Sequence, residues 1–113
     1  MNDSTTKKDL KQQYKNSVSN AGIYLITHKQ NGTFLLGSAQ NAQGVLNRHQ
    51  FELKFKQHRN KALQQDWDRD GENAFSLRVL ETVKPDEKNI VSALEQLLEK
   101  WQFELRKHND QPY

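Results

Sequence analysis

Residues 21–28 (AGIYLITH) concentrate β-branched and aromatic side chains between turn formers, the pattern of a strand. Lys29-Gln30-Asn31-Gly32 follows, and Asn-Gly is a strong hairpin cue. Residues 33–38 (TFLLGS) read as the returning strand. Over 43–56 the apolar spacing becomes helical. Val45, Leu46, His49, Leu53 and Lys56 fall near one face, with Phe51 and Phe55 beside it. Residues 60–70 predict a second, short helix in which Leu63 and Trp67 pair at i, i+4, with Gly71 as its stop. Phe75, Leu77 and Val79 alternate with Ser76 and Arg78, which predicts a third strand over 74–83. Pro85-Asp86 opens the last helix, with Asp86 as the expected N-cap. Ile90, Leu94, Leu97, Trp101 and Leu105 form its apolar stripe, to about residue 107.

The order is β-β-α-α-β-α. Strands and helices do not alternate as a parallel sheet requires, so the class is α+β. Three strands need helices over at least one face. Residues 1–20 carry few apolar positions and read as a polar, lysine-rich tail. One domain is expected over 21–113.

Composition narrows the chemistry. Of 113 residues, 34% are hydrophobic, enough for one modest core. With no cysteine, disulfides, Cys-ligated zinc, iron–sulfur clusters and thiol nucleophiles are excluded. No apolar run has membrane-spanning length, and Met1-Asn2-Asp3-Ser4 leads into lysines rather than an apolar signal core. A cytoplasmic protein is expected. The net charge is +3 and the isoelectric point about 9.2. The excess lies in Lys7, Lys8, Lys11 and Lys15 of the tail, and in Arg48, Lys54, Lys56, Arg59 and Lys61 against Glu52 alone. His49 and His58 interleave with the second group. Such a run is either the wet side of two helices or a nucleic-acid surface.

The ordered set Gly22-Ile23-Tyr24, Leu35-Leu36-Gly37-Ser38, His49, His58, Asn60 through Gln64, Asp66-Trp67, Phe75 and Leu94-Glu95-Gln96 resembles the GIY-YIG nuclease family, especially its small stand-alone and homing-type members. The resemblance covers roughly 21–105. It implies a three-stranded antiparallel sheet flanked by helices. It also implies a site that hydrolyses DNA phosphodiesters with one divalent metal. That site joins two tyrosines, an arginine and a glutamate, often with a histidine and an asparagine. Tyrosine accepts a proton from the attacking water, arginine neutralises the phosphate, and the carboxylate holds Mg²⁺ against the leaving oxygen.

Position by position, Tyr24 matches the first tyrosine, Gly37 the motif glycine, His49 the histidine and Glu95 the metal-binding glutamate. Leu35 stands where the second tyrosine belongs and Val45 where the arginine belongs. Arg48, one helical turn on, is a substitute cation. Asn109 is the stand-in for the late asparagine. The expected remnant site is therefore Tyr24, Arg48, His49 and Glu95, with Glu95 facing a cleft and holding Mg²⁺ weakly. The expected nucleic-acid contacts are Arg48, Lys54, Lys56, His58, Arg59 and Lys61. The spacing of the four histidines does not form a zinc pattern. Trp67 and Trp101 read as core rather than base-stacking residues. Three readings follow: an impaired nuclease fold (a pseudo-enzyme) that binds DNA, RNA or a protein partner, a working Mg²⁺-dependent endonuclease, and a pure protein-interaction module.

Overall fold

A strand that is apolar along its whole length needs cover on both faces, and the run after Ala21 has it. The computed structural model describes residues 20–107 and 111–113. Strand β1 is Gly22–His28 and β2 is Phe34–Ala39, joined by a loop over 29–33. The loop is longer than the two-residue turn that Asn-Gly favours. It is closed by the His28 amide donating to the Thr33 carbonyl (2.8 Å) and the Gly32 amide to that of His28 (2.9 Å). Strand β3, Phe75–Thr82, pairs with the other edge of β1, so the antiparallel order is β2-β1-β3.

Helix α1 is Ala42–Lys54, capped by the Asn41 side chain, which accepts from the Gly44 amide at 3.0 Å. It ends two residues before the expected 56. The Gln57 amide donates to Glu52 O (2.8 Å) and the Lys56 amide to Leu53 O (3.3 Å). This is a Schellman stop, with Lys56 in the left-handed position at φ 60°. Helix α2 is Lys61–Asp70, capped by Asn60 Oδ1 on the Leu63 amide (3.1 Å) and ended by Gly71 at φ 86°.

Helix α3 is Ile90–Lys107. Asp86 is not its cap. Asp86 lies in the turn that follows β3, and Asn89 accepts from the Ser92 amide at 3.0 Å instead. No helix among the described residues is long and apolar enough to cross a membrane.

The pleat of the sheet divides the core in two. Tyr24 and Ile26 meet Leu46, Leu53, Leu63, Trp67 and Phe75 beneath α1 and α2. Ala21, Ile23 and Val83 meet Leu94 beneath α3, with Leu97 and a half-buried Trp101 packed alongside. Phe51 and Phe55, expected beside the buried face of α1, are instead exposed.

Buried His28 fastens the hairpin to α2. Its Nδ1 accepts from the Gln30 amide (3.2 Å), so Nε2 carries the proton it shares with Asp70 at 2.7 Å. At the free edge of β2, residues 111–113 run parallel to the strand. The Phe34 amide donates to Gln111 O (2.9 Å) and the Tyr113 amide to Phe34 O (2.7 Å). The Tyr113 hydroxyl donates to Asp66 of α2 at 2.7 Å. The expected tail, apart from Asn20, and Asn109 lie outside the described residues.

Candidate functional site

Between β1, β2, α1 and the turn before α2 lies a cleft of about 400 Å³. Helix α1 contributes Val45, Arg48, His49 and Glu52, spaced i, i+3, i+4 and i+7 and therefore on one face. The sheet contributes Tyr24, Leu35 and Leu36, and the turn contributes His58, Arg59 and Asn60. Tyr24 sits opposite Gly37 in the ladder, and its ring lies across that glycine. Any side chain at 37 would overlap the ring and hydroxyl of Tyr24, so the glycine sets the tyrosine's position.

The Schellman stop reverses the chain and brings His58 against His49. A directed hydrogen-bond chain results. The Asn60 amide donates to His58 Nδ1 at 3.0 Å. A backbone amide can only donate, so a neutral His58 carries its proton on Nε2. His58 Nε2 therefore donates to His49 Nδ1 at 2.7 Å. His49 in turn holds its proton on Nε2 and donates to the Tyr24 hydroxyl at 3.3 Å. The Tyr24 oxygen is thus an acceptor toward His49, and its own proton is free to point into the cleft. Gln64 locks the start of the chain: its Oε1 accepts from the His58 amide (3.0 Å), and its Nε2 donates to Leu53 O (3.0 Å).

Burial pushes both imidazoles below the ordinary histidine range, and for His49 the neighbouring His58 adds to it. Both rings are consequently neutral near pH 7. Burial raises the Tyr24 hydroxyl above its ordinary value, so it stays a phenol. Arg48 and Arg59 are exposed at the mouth with no ion-pair partner among the described residues. The cleft is thus lined by hydrogen-bond donors, the two exposed guanidiniums and the Glu52 carboxylate around an apolar wall.

No family model matches the chain, and no curated protein matches it. Among solved structures, the catalytic domain of the homing endonuclease I-TevI aligns at a TM-score of 0.62 and 29% identity, over 81% of this chain and 96% of that one. A glutamate-to-alanine mutant of the catalytic domain of intron endonuclease I-TevI aligns at 0.55 and 28%, over 79% and 84%. The chain has the GIY-YIG nuclease fold.

Within this GIY-YIG fold the structure brings together Tyr24, Arg48, His49, His58 and Arg59, all on the cleft. Leu35 and Val45 also line it, and both pack against the cluster that holds Tyr24 and Leu46. His58 cannot itself touch a phosphate, because it is buried with both ring nitrogens engaged. Lys54, Lys56 and Lys61 are exposed outside the cleft, and Lys54 pairs with Glu72 at 3.7 Å. Glu95 is exposed on α3 and is not among the residues lining the cleft.

The metal implied by the fold family finds limited purchase. Glu95 offers one carboxylate, so Mg²⁺ there would take its remaining ligands from water and phosphate. His49, Glu52 and His58 place ligand atoms within 4.8 Å of one another. They do not fit an ion as arranged. A metal on His58 Nε2 requires the proton on Nδ1, where the Asn60 amide already points its own N–H.

Glu52, Asn60 and Gln64 were not singled out as site residues from sequence. The signal for Glu52 is its i+3 spacing from His49. For Asn60 it is the capping asparagine that starts α2.

Proposed function

We propose that this chain binds nucleic acid in the cleft and does not hydrolyse it. The observation that carries the reading is apolar packing at two positions, Leu35 and Val45, where the family resemblance expects a tyrosine and an arginine. Neither side chain can move a proton or stabilise charge. Loss of one preorganised charge-stabilising donor costs about 10²–10³ in rate.

The direction of the histidine chain supports the same reading. Tyr24 can serve as a base only after losing its proton, and His49 is its nearest acceptor. Accepting that proton on Nε2 would require reversing both imidazoles, and His58 would then present an N–H to the Asn60 amide. The neutral Tyr24 hydroxyl instead suits donation to a phosphate oxygen, with Arg48 and Arg59 supplying the charge.

The test is nicking of supercoiled plasmid with Mg²⁺ or Mn²⁺, with Glu95→Ala beside the parent. Both proteins are expected to leave the plasmid intact. Nicking by the parent that disappears in Glu95→Ala overturns the reading. In parallel, Arg48→Ala with Arg59→Ala is expected to weaken binding and flatten its dependence on salt, since each phosphate contact contributes about one unit to the log–log slope. Unchanged binding overturns the assignment of the cleft.

A further inference from the structure

Phe51 on α1 and Phe55, the residue that caps its C-terminus, lie four residues apart, 57% and 58% exposed, with ring centroids 4.5 Å apart and planes at 40°. Two large apolar rings in tilted contact with each other in solvent are not explained by the core, which they do not enter. On the helix they occupy the stripe next to the cleft-lining one, with Arg48 between the two. Phe55 also directly follows Lys54 and precedes Lys56, both exposed.

Charge decides among occupants. Segment 1–19 carries Lys7, Lys8, Lys11 and Lys15 against Asp3 and Asp9, and a second copy brings another net +3. Both are repelled by the cations around the rings. Glu52 lines the cleft, and Glu72 engages Lys54. A partner that is polyanionic and also offers flat apolar faces fits best. A nucleic-acid strand has both, but a duplex hides its base faces in its own stack.

We propose that the Phe51–Phe55 pair is a stacking platform for an unpaired base of a single-stranded nucleic acid whose phosphates lie along Arg48 and Arg59. The inference rests on the nucleic-acid reading above and specifies its substrate class. At 1.5 Å per residue, Arg48 lies about 4.5 Å along the helix axis from Phe51 and roughly 10 Å from Phe55, on the side toward the cleft. Stacking on aromatic side chains tolerates any base, so the surface selects strandedness rather than sequence.

Fluorescence anisotropy of the full chain tests this with three probes: oligothymidylate, a duplex of equal length, and an abasic sugar-phosphate strand. The parent is expected to bind oligothymidylate more tightly than the other two. Phe51→Leu with Phe55→Leu is expected to lose roughly ten-fold on oligothymidylate and to leave the other affinities unchanged. Phe51→Tyr with Phe55→Tyr restores parental binding, and matching thermal melts show that the variants fold. Undiminished binding by the leucine variant, or equal losses on all three probes, overturns the platform. A parent that binds duplex as well as single strand overturns the platform alone. A parent that binds none of the probes overturns the nucleic-acid reading together with it.

Discussion

His49 and His58 face each other at 2.7 Å, and their neutrality has a measurable consequence for stability. Both are held below the ordinary histidine range, chiefly by burial. Unfolded imidazoles take up a proton near pH 6.5, whereas the folded pair resists until the pH is lower. Below 6.5 the unfolded state therefore binds more protons, and stability falls as pH falls. The melting temperature is expected to drop between pH 7 and pH 5. The limit is about 1.4 kcal/mol per pH unit for each imidazole, and the slope should be shallower in His49→Asn. Glu81, which accepts from Lys100 and Trp101, and Asp70 are held below their ordinary range, so their losses come at more acid pH. A flat melting profile from pH 7 to 5 would contradict this account. From sequence, Tyr24 and His49 were each legible as candidate site residues. The proton order between them was not, because it originates in the backbone amide of Asn60 and in a turn with no sequence signature.

Among the elements, the strands and α2 were legible because their signals are local. Alternation marks β3, and Asn60 and Gly71 bracket α2. The end of α1 was not, because its left-handed residue is Lys56 where glycine is the common choice. A lysine there carries a steric penalty of roughly 1–2 kcal/mol that glycine avoids. Lys56→Gly is therefore expected to stabilise the fold by up to about 1 kcal/mol, offset in part by the freer unfolded chain. Urea denaturation would reveal it as a higher midpoint with unchanged slope. Destabilisation would show that the lysine side chain contributes more than its backbone strain costs. The exposure of Phe51 and Phe55 escaped the helical pattern for a related reason. Apolar residues occur around most of α1, and only the packing shows that Ala42, Leu46 and Leu53 are the buried set.

On the scale of the whole molecule, closure of the sheet depends on residues far apart in sequence. The β2 edge is covered by 111–113, and Tyr113 spans from that edge to Asp66 of α2. Burial and the Asp66 carboxylate both raise the Tyr113 hydroxyl, so it remains a donor throughout the neutral range. Hydrogen bonds to charged partners are worth about 1.5–3 kcal/mol, and Asp66 keeps Arg69 at 3.1 Å when this one is lost. Tyr113→Phe is expected to cost about 1–2 kcal/mol in denaturant and to speed amide exchange at Phe34. Exchange at Phe34 equal to that of the parent would show that the closing segment holds without this anchor. Nothing in the composition of residues 111–113 announces the pairing, since one bridge is too short to leave a period.

The 2.7 Å contact between the imidazoles also makes the protein its own observer. A ring N–H held in so short a bridge, with His58 buried, is expected to exchange slowly with bulk water and to resonate downfield of ordinary amides. Any guest that accepts a hydrogen bond from the Tyr24 hydroxyl polarises its oxygen toward His49 and, through that ring, is expected to shift the bridging resonance. Occupancy of the cleft can thus be followed in unlabelled protein, one proton at a time, before the guest's identity is known.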